Sequence, residues 1–344
     1  MENKTPYLSV IMPVYNAESY IEKAIGSILN QTFKDLELIC VNDCSRDSSL
    51  EIMLSLSNSD NRLRIIDSPE NVGAGQARNL GLSEARGKYI TFVDADDEID
   101  SDLYRKAVCI TEDNDVDEVV WGITEMHYGP NNKFIRSVRI SPETKISIEK
   151  NEIYNMLLCL EEKTLFGYQW NSLYRTSIIR EKNIQFERTI FYEDFFFNLN
   201  FANHIKSIAT LGDTGYYYFK RKNNSITNTF TVDYFDLSYR RINEMFKFFV
   251  SNNYKNTQVY TVLGNRLLRY TLSALQRNCD KRSGWNYKDR KEWFLNTCEL
   301  SLYKLLLDNA KISNPAYFVM AFIIKHKMAF AADLLGEIIQ VIRK

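Results

Sequence analysis

The first 110 residues limit the possible folds more than any other part of the chain, because four short apolar runs alternate there with helix-patterned segments. The runs are Leu8–Met12, Leu36–Val41, Leu63–Asp67 and Tyr89–Val93, and the helical stretches lie near Ser19–Gln31, Ser48–Ser57 and Gly75–Ala85. A strand that is apolar on both faces needs cover on both, which parallel strands joined by crossover helices supply. Right-handed crossovers bring the loops that follow these strands to one edge of the sheet. In open α/β sheets that edge receives ligands. The expected class is therefore α/β, with a Rossmann-like, mostly parallel sheet.

Beyond Asp117 the alternation loosens. Glu118–Met126 reads as a further strand and Lys150–Lys163 as a helix. An aromatic-rich middle follows, and from about Asp233 the pattern is helical, near 233–251, 257–277, 287–309 and 316–342. With 344 residues, a prior of about 150 residues per domain suggests two. We place the boundary near residue 230, giving a domain over 1–230 and a helical region over 231–344. The first divides into halves over 1–115 and 116–230.

Composition narrows the function classes. Hydrophobic residues make up 45% and charged residues 25%, which a globular protein needs and a disordered one lacks. The formal net charge of −1 argues against a dedicated nucleic-acid binder. Residues 1–110 carry 11 basic and 18 acidic side chains, and the remainder 32 and 26. An acidic front and a basic back suggest a metal-binding part and an anion-facing part. Six cysteines and three histidines show neither a CxxC pair nor zinc spacing, so a reduced, cytoplasmic setting is expected. The start MENKTPYLSVIMPVYN runs into a strand with no secretory core. The apolar stretch from Pro315 to Ile324 is about half of the ~20 residues that a spanning helix needs.

The strand-end loops carry the polar residues. They are Pro13-Val14-Tyr15-Asn16, then Asn42-Asp43-Cys44-Ser45, then Asn71-Val72-Gly73 leading into Arg78, then Asp94-Ala95-Asp96-Asp97. Carboxylates crowded at a strand end repel one another and favour a hard cation such as Mg2+ or Mn2+. Asp97, Glu98 and Asp100 read instead as caps of the next helix. Asp43 suits a base or ribose, or a turn before the second helix. Arg78 suits an anion, or a surface salt bridge. Neither GxGxxG nor GxxxxGK[ST] occurs, so dinucleotide and P-loop readings lack their phosphate cradles. Glu193 and Asp194 stand among Phe191, Tyr192, Phe195, Phe196 and Phe197. Such a pair serves either as a desolvated general base or as a helix N-terminus. Arg221 and Lys222 open a basic loop.

These pieces together resemble the family-two inverting glycosyltransferases of the GT-A fold. The resemblance rests on LSVIMPVYNAESYIEKAIGSILNQTF, VNDCSRDSS, NVGAGQARNLGL and GKYITFVDADD, then WNSLYR, FYEDFFF and YYYFKRKNNSITN. It covers about two thirds of the chain, and relatives carry Lys where this chain has Ser172. The resemblance implies a UDP-sugar donor and a glycan or lipid-linked acceptor in bacterial surface-polysaccharide synthesis. It implies that Pro13, Tyr15, Asn16 and Asp43 line the nucleotide pocket and that Arg78 contacts base or phosphates. It makes Asp94 and Asp96 the Asp-x-Asp pair, with Asp96 the main ligand of Mn2+ or Mg2+. Asp194 becomes the catalytic base with Glu193 beside it, and Arg221 and Ser225 lie on a loop closing over the diphosphate. The alternatives are an inactive nucleotide- or glycan-binding subunit and a sugar nucleotidyltransferase, though the latter's Gly-rich first loop is absent.

In the C-terminal segment Ala331, Leu334, Leu335, Ile338, Ile339 and Ile342 share one helical face. Packing on the core or in a homodimer is the favoured reading. Docking on an anionic inner membrane, with Lys325, Lys327, Arg343 and Lys344 flanking the helix, is the other.

Overall fold

Leu8–Val14 (β1), Leu36–Asn42 (β2), Leu63–Asp67 (β3) and Tyr89–Phe92 (β4) pair in the order β3-β2-β1-β4, all parallel. The structure, a computed structural model, describes residues 5–189, 191–221, 230–231 and 233–342. Three helices cross between these strands: Ile21–Leu29 (α1), Ser49–Ser57 (α2) and Ala74–Glu84 (α3). α1 buries Ile21, Ala24, Ile25 and Ile28, the face its sequence period marks. Pro13 sits inside β1 without breaking the sheet. Val93 N donates to Ile11 O at the end of the β4 side, so the missing Pro13 N–H falls beyond β4.

The sheet then continues with a reversed strand. The next elements are Glu98–Ile99 (β5), Leu103–Asn114 (α4), Glu118–Tyr128 (β6), Phe134–Ile140 (β7), Lys145–Ser147 (β8) and Lys150–Glu162 (α5). Ser172–Arg175 (β9), Thr176–Glu181 (α6), Glu193–Ala202 (α7) and Ile208–Lys220 (β10) follow. Among the described residues the sheet has ten strands, in the order β3-β2-β1-β4-β9-β6-β10-β5, with β7 on β6 and β8 on β10. β9 lies antiparallel between β4 and β6, and β10 runs parallel to β6. The carboxyl ends of β1, β2, β4 and β10 and the amino end of β9 therefore share one edge. The two longest ladders, β6–β10 and β1–β2, are parallel, and the architecture is the mixed α/β sheet expected. On one face Phe186 stacks on Phe197 at 4.2 Å, and Phe92 meets both edge-on.

The chain divides into two compact units, Met1–Asn224 and Ser225–Lys344. The second is helical: Tyr234–Ser251 (α8), Thr257–Asn278 (α9), Tyr287–Cys298 (α10), Ser301–Asn309 (α11), Pro315–Lys325 (α12) and Ala329–Ile342 (α13). The stretches 287–309 and 316–342, each expected as one helix, are each two. Leu300 turns extended, and Lys327 takes a left-handed φ of 50°. Lys327 N then donates to Ile324 O and Met328 N to Ile323 O, a helix-ending pattern that usually uses glycine.

α13 packs on α9 but does not bury the whole apolar face expected. It buries Ala329, Ala332 and Gly336; of that face Ala331, Leu335 and Ile339 are half-buried, while Leu334, Ile338 and Ile342 stay exposed. A Cβ at Gly336 would stand 2.8 Å from Leu275 O and 3.0 Å from Cys279 Sγ of the α9 end, so only glycine permits this approach. Among the described residues no helix is long and apolar enough to cross a membrane.

Candidate active site

The loops after β1 and β2 are laced together at the sheet edge. Asn16, with φ at 49°, takes Arg46 N on its Oδ1 at 2.8 Å, and Asn16 N donates to Ser45 Oγ at 3.1 Å. Pro13 is the penultimate residue of β1, and the Tyr15 ring just beyond the strand is half exposed. Asp43 is buried, and its two oxygens accept Val72 N at 2.6 Å and Gly73 N at 2.9 Å. Gly73 has φ at 84°, a backbone state that suits glycine, and α3 begins at the next residue. Asp43 thus shapes the loop that launches α3, and it does not prepare the cap of α2.

That launch aims Arg78 at the centre of the site. Its guanidinium is buried, which rules out the surface salt bridge. Nη2 donates to Asp94 Oδ1 at 2.8 Å and Nη1 to Asp194 Oδ1 at 3.2 Å, with Glu193 Oε1 at 3.8 Å. Burial opposes the Arg78 charge, but Asp194, Asp94 and Glu193 outweigh it and hold the group protonated. One cation faces three carboxylates. Burial pushes Asp194 well up from the usual carboxylate range, helped by the charges of Glu193 and Asp94 against Arg78. Glu193 is raised for the same first reason. The two residues open α7, as the helix reading has it, yet their carboxylates meet Arg78 and make no side-chain cap bond. Tyr192 at the N-cap takes φ of 67° to turn the chain there.

The segment after β4 sends each carboxylate to a different partner. Asp94 goes to Arg78. Asp96 accepts from Arg221 Nη1 at 3.4 Å, which also reaches Asp96 O at 3.1 Å. The Arg221 guanidinium lies over the Tyr20 and Phe219 rings, 4.2 and 4.6 Å from their centroids. Half of the Asp96 side chain is exposed, yet surrounding protein and the Asp94 charge push it up to about 6. Asp97 is wholly buried, accepting Tyr216 OH at 2.8 Å and Phe219 N at 2.9 Å. It caps no helix: Asp102 stands at the N-cap of α4 and Glu98 lies in β5, which corrects the cap reading. Only Asp100 helps that turn, by accepting Asp102 N. Beside Asp96 and Arg221 opens a cleft of about 220 Å³, walled by Tyr20, Lys23, Tyr128 and Phe219.

Sequence reasoning missed two residues. Asp97 is one. Gln169, just before β9, is the other: with its amide assigned in the orientation that satisfies both ends, the nitrogen donates to both Asp194 oxygens (3.0 and 3.3 Å) and the oxygen accepts from Arg78 Nη2 at 2.8 Å and Nε at 3.1 Å. No local pattern marks a buried glutamine in an aromatic run. Ser225, expected on the closing loop, lies outside the described residues.

The site's donor set suits a hard divalent ion, since Asp94 and Asp96 offer oxygen and a cation would relieve the raised Asp96. Among the described residues no three His, Cys, Asp or Glu side chains gather as a metal cage. An ion here would draw its other ligands from phosphate and water.

Comparison with known proteins supplies the family. Residues 9–181 match the model of glycosyl transferase family 2, half of the chain. The uncharacterized glycosyltransferase EpsJ of Bacillus subtilis is 34% identical over 225 residues, 64% of this chain and 63% of that protein. The glycosyltransferase GlyA of Streptococcus pneumoniae is 47% identical over 105 residues, 29% of this chain and 15% of that one. The crystal structure of S. aureus TarS 1-349 in complex with UDP-GlcNAc is similar with a TM-score of 0.65 at 20% identity, covering 96% of this chain and 90% of that one. The mannosyltransferase PcManGT from Pyrobaculum calidifontis, in complex with GDP-Man and Mn2+, reaches 0.51 at 17% identity, covering 96% and 88%. At such identities the likeness carries the fold, GT-A. With the sheet edge and the match over residues 9–181 together, the chain belongs to glycosyl transferase family 2.

Proposed function

We propose that this glycosyltransferase moves a sugar from a UDP-sugar to a hydroxyl of a glycan or lipid-linked acceptor in bacterial surface-polysaccharide synthesis. The observation that carries the reading is the Arg78 cluster, which joins Asp94, the first residue of Asp-Ala-Asp, to Asp194 at the ligand-binding edge. TarS, solved with UDP-GlcNAc and with UDP, supports a uridine donor; PcManGT, solved with GDP-Man, is the guanosine counterpart to exclude.

Pro13, Tyr15, Asn16 and Asp43 line the pocket for the base and ribose. Asp96, with Asp94 beside it, would hold Mn2+ or Mg2+, which would supply positive charge to stabilise the leaving diphosphate. Arg221, already against Asp96, supplies a second positive group there. Asp194 takes the acceptor hydroxyl proton while the oxygen attacks the anomeric carbon and the bond to the diphosphate breaks on the opposite side. Glu193 orients the acceptor. Attack and departure on opposite faces invert the anomeric centre in one displacement, with no covalent enzyme intermediate. Gln169 and Arg78 hold Asp194 in place.

The test is a donor panel of UDP-Gal, UDP-Glc, UDP-GlcNAc, UDP-GalNAc and GDP- and dTDP-sugars, each with Mn2+, Mg2+ or EDTA. Metal-dependent release of UDP from one of them is expected. Failure of every donor to bind would remove the donor reading.

A further inference from the structure

We propose that the α12–α13 hairpin is a docking face for an anionic phospholipid surface. The reading does not rest on sugar transfer. α13 is turned inside out. Its small residues Ala332 and Gly336 are buried, and its polar residues point at the rest of the unit. Asp333 takes Arg290 at 2.5 and 3.1 Å, Glu337 takes the same guanidinium at 3.4 Å, and Gln340 meets Gln276 and Asp280. Leu335 and Ile339 are half-buried, but five large apolar residues face away: Phe330 is 71% exposed, Val341 73% and Ile342 78%, with Leu334 and Ile338 between them. On α12 Phe318, Val319 and Phe322 are exposed as well. A monomer in water seldom leaves so many large apolar side chains on two adjacent helices uncovered.

Charge identifies the occupant. Between Asp308 and Asp333 the sequence has Lys311, Lys325 and Lys327 and no carboxylate at all. The two acids of α13 are already held by Arg290. Lys327 reaches Glu299, while Lys311 and Lys325 are exposed. An apolar face that carries Lys325, and whose neighbouring acids Glu299, Asp333 and Glu337 already have cationic partners, matches a lipid boundary with anionic headgroups, where hydrocarbon enters and ammonium groups stay at the surface. A two-fold pairing of copies would set this face against itself, cation against cation.

The experiment is flotation of the full chain with vesicles of pure phosphatidylcholine, and of phosphatidylcholine and phosphatidylglycerol in equal parts. The protein is expected to float with the second and bind the first on the order of tenfold less. Phe330→Ser with Ile338→Ser should leave it at the bottom with an unchanged melting curve, since neither side chain is in the core. Lys311→Glu with Lys325→Glu, both exposed, should lower binding to the anionic vesicles on the order of tenfold. Absence of flotation with both vesicles overturns the proposal. So does equal flotation of the serine variant, or sedimentation velocity showing a dimer that this variant converts to monomer, which would assign the face to a second copy.

Discussion

In the unit Met1–Asn224 charge lies where hydrocarbon is expected, whereas in the unit Ser225–Lys344 hydrocarbon lies where charge is expected. The first buries Arg78, Asp97 and Glu118. The second leaves Phe330, Val341 and Ile342 in the open. Each departure is costly alone, and each is offset by a built environment or awaits a partner. Around Arg78 the offset is three carboxylates and an amide. Around α13, among the described residues, the exposed side chains have no such offset. An inverted polarity that is internally satisfied marks chemistry, and one left unsatisfied marks contact.

Substitutions sharpen that contrast. Asp194→Asn should lower turnover on the order of 10³-fold while UDP binding by calorimetry stays close to wild type, because the amide keeps the shape and loses the base. Turnover at the wild-type rate would falsify the role of Asp194. Arg78→Met removes the one cation among three carboxylates and should cost about 3–5 kcal/mol in urea unfolding. A cost near zero would mean that the cluster is not held by charge.

Glu118 tests buried charge away from the site. It is buried at the start of β6 and hydrogen-bonds Ser172; burial pushes its carboxyl from 4.5 up to about 8. The folded state therefore holds the proton more tightly than the unfolded one. That contribution is complete below pH 4.5 and is lost as pH rises to about 8. Stability should fall by a few kcal/mol across this window. Glu118→Gln should flatten that part of the slope, and denaturant melts of both proteins at pH 5 and 8 check it. The smallest effect belongs to the second unit. Phe330→Ser should change stability by less than about 0.5 kcal/mol, whereas Leu267→Ala inside α9 should cost about 2–5 kcal/mol. Equal costs would erase the distinction between the two surfaces.

Much of the first unit was legible in the sequence, because local rules and the final fold agree there. Continuous apolar runs such as Leu36–Val41 are buried on both faces, and the helix period of α1 marks its buried residues. The roles of Asp97 and Gln169 were not legible. Asp97 follows β4 like any helix cap, but its partners Tyr216 and Phe219 stand more than a hundred residues on. β9 is only four residues long, and reversing one strand inside a parallel sheet leaves no local mark. In the helical unit the missed break at Lys327 has no Gly or Pro to announce it. The exposed face of α13 misled for a clear reason. A helical period reports which residues share a side, and tertiary packing decides which side turns inward.

The Asp97 contact also sets an order of assembly. The match to the family model ends at residue 181, so a ribosome has made that part, the Asp-x-Asp segment included, while Tyr216 and Phe219 are still unmade. Until they arrive, the segment carrying Asp94 and Asp96 has no phenol or backbone amide to anchor the acid that follows it. The donor end of the sheet is written first and finished late, and a fragment cut at the family's edge would hold the motif without the clasp that shapes it.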